Sequence, residues 1–183
     1  LKQIGLGWLQ YSQDYDEKLP QNDTTGATVF DGQLQPYIKS IQISRCPSAK
    51  NSNLVAYSVN NWLWETSGVS IASIQRPAEM IVSGDSSQTG TGGSPRQWFL
   101  ANTGAIWSGG LPWFDWSDPE QLLLFDGTKD QDAATWTGDP LNGDAMPRYR
   151  HFDGWNVLFL DGHVKFWKKG NARLKNFQPL VQR

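Results

Sequence analysis

Alternation of apolar residues is clearest near the C-terminus. From Arg148 to Trp167 the chain reads RYRHFDGWNVLFLDGHVKFW, two apolar runs on either side of Asp161-Gly162. Asp-Gly between such runs predicts a two-residue type I′ hairpin turn, because that turn needs positive φ at both central positions. A turn there sets Leu160 opposite His163, Phe159 opposite Val164, Leu158 opposite Lys165 and Val157 opposite Phe166. Side chains alternate across a strand, so Val157, Phe159, Val164 and Phe166 would share one wholly apolar face. Its cover is expected from the other end of the chain. Leu1, Ile4, Trp8, Tyr11 and Tyr15 recur at spacings of three and four, one stripe of a helix from Leu1 to Asp16. Gly5 and Gly7 each cost that helix about 1 kcal/mol against alanine. It therefore needs tertiary packing, and Phe159 and Val164 are its expected floor. Pro20 marks its end.

Between these ends the pattern predicts shorter elements. Asp31 can cap a helix over Gln33 to Ser40, with Pro36 in its first turn. Leu54 to Val59 and Glu79 to Gly84 read as strands, and Val69 to Ile74 as one helical turn. With the hairpin this makes an α+β fold, an N-terminal helix packed on an antiparallel sheet of about four strands.

Residues 86–146 break the pattern and read as a loop insertion rich in Trp, Gly and Asp. QTGTGGSP, Gln88 to Pro95, lacks the Lys-Ser or Lys-Thr pair and the following helix that a phosphate cradle requires. Ser117-Asp-Pro-Glu120 is a capping box that would start a helix through Phe125. Trp98, Trp107, Trp113 and Trp116 have two readings. They fill the core and subunit contacts, or they form an exposed row that stacks on sugar rings or a protein partner. Asp126, Asp130 and Asp132 could together supply oxygen ligands to a hard cation such as calcium. Their spacing is not an EF-hand, and solvated loop aspartates are the alternative.

The chain's 183 residues suit one domain with a real core, 1–183. Within it, 1–19 is the end of the N-terminal helix, and 147–183 is the hairpin and tail. A formal charge of −2 gives no electrostatic reason to expect nucleic acid. No apolar run approaches the roughly 20 residues of a membrane helix. The single cysteine, Cys46, excludes an internal disulfide. With no histidine near it in sequence, it reads as a buried structural thiol.

His151, Asp153, Asp161 and His163 form a metal-like pattern, but a straight strand separates the histidines by about 30 Å at roughly 3.3 Å per residue, and they could meet only if Asp153-Gly154 folds the chain back. His151 is expected instead to donate to a backbone carbonyl and anchor the entry to the hairpin. There is no G-x-S-x-G elbow and no pair of histidines at helical spacing, so no catalytic residues are assigned.

His151, nine intervening residues, then Asp161-Gly162 resembles the H-X9-DG signature of prepilin-type, pseudopilin-like bacterial proteins. LKQIGLGWLQYSQDYDEKLP at Leu1 to Pro20 is similar to the segment after that family's membrane helix. CPS at Cys46 to Ser48, AYSVNN at Ala56 to Asn61 and RPAEMIVSGD at Arg76 to Asp85 follow in the family's order. The resemblance implies a pilin-like fold with His151, Asp161 and Gly162 as its structural motif. It also implies a non-catalytic subunit of a pilus or of a type II secretion-like pseudopilus. Its partners would be other pilin-like subunits, and a preceding membrane helix would anchor it in the inner membrane before assembly at the cell surface. Some such proteins are stabilised by calcium in an acidic loop, which makes calcium the one cofactor to test, at Asp126, Asp130 and Asp132. The alternative function is an extracellular carbohydrate- or protein-binding module using the tryptophans.

Overall fold

A computed structural model describes residues 1–20, 32–49, 55–60, 63, 70–86, 118, 120 and 148–177. Helix α1 spans Lys2–Asp14 and buries Ile4, Trp8 and Tyr11, the stripe expected of it. Tyr15 falls past its end, where it stacks on Tyr11 but stays half exposed. Pro36 sits in the first turn of the short α2, Gln35–Ile38, which lies against α1. Two 3-10 turns, Ile41–Ser44 and Ile71–Ser73, are capped by the hydroxyls of Ser40 and Ser70.

The sheet has four antiparallel strands in chain order, β1 (Tyr57–Val59), β2 (Ile81–Asp85), β3 (Gly154–Phe159) and β4 (Val164–Lys168). Helix and sheet make an α+β arrangement. Its interior holds an apolar layer on each side of the sheet. Ile4, Trp8 and Tyr11 pack with Val59, Val82, Leu158 and Leu160 on the helix side. Trp155, Val157 and Phe159 pack with Ile81, Tyr149, Leu174 and Phe177 on the other. Asn60 ties that second layer down, donating to the carbonyls of Ile81 and Phe177 at 2.9 Å each.

The hairpin register differs from the expected one by one residue. Leu158 pairs with Val164, Val157 with Lys165 and Asn156 with Phe166. Gly162 N–H donates to Phe159 O, and Phe159 N–H to His163 O, so the loop holds three residues, Leu160, Asp161 and Gly162. Only Gly162 is left-handed there, at φ +84°. This is the longer hairpin loop closed by a left-handed glycine, not a I′ turn. The slip moves Phe159 to the face away from α1, where it stacks on His163 and meets Trp167 edge-on. Val164 stays on the helix side, partly buried, and the floor under α1 is Leu158 and Leu160.

The glycines of α1 acquire a purpose from this packing. A methyl at Gly5 would stand 2.6 Å from Leu158 Cδ1 and 3.3 Å from Gly162 O. One at Gly7 would stand 2.7 Å from Ile38 Cγ2. Their propensity cost is offset by close approach to the hairpin and to α2.

Candidate functional site

The expectation of a straight strand from His151 does not hold. His151 and Gly154 exchange backbone hydrogen bonds, 3.1 Å and 2.8 Å, around Phe152 and Asp153. Both central residues have positive φ, 48° and 56°, as a two-residue mirror-image turn requires. The chain therefore reverses just before β3, and this reversal aims the His151 ring back toward the ends of β1 and β2.

There the ring meets side chains rather than the expected carbonyl. His151 Nε2 lies 3.4 Å from Asp85 Oδ1 and 3.6 Å from Cys46 Sγ. Cys46 is a buried thiol, as expected, but it has a histidine neighbour that lies 105 residues away in sequence. Asp85 ends β2 with its side chain fully buried. A buried carboxylate must be paired or hydrogen-bonded to stay charged. Asn156 supplies much of that support, donating its backbone N–H at 2.8 Å and its Nδ2 at 3.1 Å to Asp85 Oδ2. Arg150 supplies a cation, with Nη1 3.6 Å from Oδ1 and Nη2 bound to Ser86 O at 2.8 Å. Asp85 Oδ1 itself is buried without a hydrogen bond among the described residues. Tyr57 pairs with Asp85 across β1 and β2. Its phenol is pushed well above its usual pKa by burial, and further by the Asp85 and Cys46 charges.

The arrangement is not that of a nucleophile, a base and an orienting acid in line. That relay uses the two imidazole nitrogens on different partners. Here one nitrogen, Nε2, faces both the thiol and the carboxylate.

Asp161 and His163 remain at the opposite end of β3. Asp161 Oδ1 accepts from His163 N at 3.1 Å and lies 2.5 Å from His163 Nδ1. These half-exposed groups hold the loop and do not join His151. Gly162 sits beneath α1, where a methyl on it would stand 2.6 Å from Leu9 Cδ1. Asp126, Asp130, Asp132, Trp98, Trp107, Trp113 and Trp116 lie outside the described residues. Of the capping box, Asp118 Oδ1 accepts from Glu120 N at 2.9 Å, and the expected helix beyond it also lies outside them.

Asp85, Arg150 and Asn156 were missed as site residues by sequence reasoning. Asp85 offered one signal, an acid closing the buried run IVSGD. No protein-family model, curated protein or solved structure significantly matches the chain. No helix among the described residues is long and apolar enough to cross a membrane.

Proposed function

We propose that the chain is a structural subunit of a pilin-like filament, a pilus or a type II secretion-like pseudopilus, and not an enzyme. The observation that carries this reading is how the H-X9-DG segment is used. Gly162 lies against Leu9 of α1, and Leu158 lies under Gly5, so the hairpin seats the N-terminal helix on the sheet. Such seating suits a subunit that must transmit contacts from helix to globular domain. Two large apolar groups of this region face away from the core, Leu6 at 53 % exposure and Tyr15 at 52 %. Exposed apolar side chains on α1 and just past its end supply the contact surface that subunit packing needs.

Cysteine cross-linking tests the proposal. Cys46 is buried, so Leu6→Cys and Tyr15→Cys introduce accessible thiols beside a shielded one. In cells producing the protein from its own gene, cross-linking of the double variant should give a ladder of dimers, trimers and larger species. Monomer alone, with the variant present in the envelope at normal level, would rule the filament reading out.

A further inference from the structure

We propose that Cys46, Asp85 and His151 bind a divalent transition-metal ion of the zinc class. Their donor atoms, Sγ, Oδ1 and Nε2, all lie within 4.8 Å of one another. Tetrahedral coordination at about 2.3 Å to sulfur, 2.05 Å to nitrogen and 2.1 Å to oxygen sets the ligand edges at about 3.6 Å for S–N and about 3.4 Å for N–O. The observed separations are 3.6 Å and 3.4 Å. Nε2 faces both other donors at once, as the shared ligand of one ion would. Asp85 Oδ1, buried without a hydrogen bond among the described residues, points into the same space.

The surroundings have the features of a supported metal site. Asn156 fixes the carboxylate through Oδ2 and leaves Oδ1 to the ion. The turn at Phe152 and Asp153 fixes His151 through both of its backbone groups. The His151 side chain is one-quarter exposed, which gives the ion access from solvent. A thiolate with an imidazole selects a borderline-soft ion over calcium or magnesium. Binding releases the Cys46 thiol proton, so thiolate and carboxylate together balance the ion's double charge. Arg150 then adds a positive charge 3.6 Å from Oδ1, which favours an anion such as hydroxide at the fourth position. The ion would clamp three stretches distant in sequence, ahead of β1, at the end of β2 and ahead of β3. The inference stands independently of the filament reading.

Cobalt(II) is the probe, because thiolate ligation gives an intense near-ultraviolet charge-transfer band and tetrahedral geometry gives strong visible bands. Titration of the folded wild-type chain should show both, saturating at one equivalent and reversed by excess zinc. Cys46→Ser should lose the charge-transfer band, and His151→Asn should bind at least tenfold more weakly. Asn156→Ala, which touches the carboxylate but not the ion, should weaken binding roughly 10- to 100-fold. Circular dichroism checks that each variant is folded. A folded wild type with no thiolate band overturns the proposal and needs no variant. So does cobalt binding that Cys46→Ser leaves unchanged, which would place the ion elsewhere, for instance at Asp126, Asp130 and Asp132.

Discussion

Before β3 the chain reverses through Phe152 and Asp153, both at positive φ and neither of them glycine. After β3 it reverses through Leu160, Asp161 and Gly162, where the glycine alone is left-handed. The second turn obeys local rules, and a glycine makes its geometry cheap. In the first, each L-residue in the left-handed region costs about 1–2 kcal/mol. The Phe152 ring, 96 % exposed, recovers nothing through burial. What holds this turn is tertiary. Lys169 N, just past β4, donates to Asp153 O and adds to the turn's own His151–Gly154 pair. The glycine turn docks a helix, whereas the strained turn delivers a histidine to a buried carboxylate. Strain of this kind concentrates where the surrounding structure over-determines a position.

The largest expected effect comes from attacking what holds the strained end. Asp85→Ala would leave the Arg150 guanidinium, whose side chain is 3 % exposed, without its carboxylate. It would also orphan the Asn156 amide. Breaking a buried ion pair by removing one partner costs about 3–5 kcal/mol. Urea denaturation should show that loss, and a loss below about 1 kcal/mol would mean that the carboxylate is not what secures this end.

Gly162→Val tests the other end. It places a β-branched residue at φ +84° and drives its Cβ toward Leu9 Cδ1. Left-handed strain and overpacking together should cost about 2–4 kcal/mol. An unchanged melting temperature would mean that neither the glycine nor its contact with α1 matters. The double variant Phe152→Asn, Asp153→Gly should act in the opposite sense. Asn-Gly is the preferred pair for a turn with two positive φ values, so stability should rise by about 1 kcal/mol or more. A fall would show that the native pair is held by an interaction that these two side chains make.

Much of the fold was legible, and the part that was not fails for definite reasons. The α1 stripe, Pro36 in α2 and the four strands all follow from periodicity and local chemistry. The hairpin register did not. β3 is buried on both faces, so its apolar run lacks the alternation that would have fixed which side chain points where. A one-residue slip then exchanged the faces, putting Leu158 under α1 where Phe159 was expected. Local turn rules also favoured Asp161-Gly162 for the I′ geometry, and at the other end they pointed to Asp153-Gly154, one residue past the left-handed pair Phe152-Asp153. The cluster of Cys46, Asp85 and His151 was hidden by separation alone. Its members come from a loop, a strand end and a turn, and no short spacing joins them.

The smallest effect at neutral pH belongs to Tyr149, which flanks the strained turn on the sheet face away from α1. It packs edge-on against Trp155, and its hydroxyl is buried without a hydrogen-bond partner among the described residues. Burial pushes its pKa from 10.0 up to about 12. Between those values the unfolded chain has released the phenolic proton and the folded chain still holds it. Stability is therefore fully present below about pH 10 and lost as pH rises toward about 12, by up to roughly 2–3 kcal/mol for this group. Tyr149→Phe removes both the unsatisfied hydroxyl and the titration. At pH 7 its melting temperature should match or slightly exceed that of the wild type. At pH 11 the variant should be clearly the more stable of the two. Parallel loss of stability in both proteins across pH 10 to 12 would assign the alkaline sensitivity to other groups, such as Tyr57 beside Asp85.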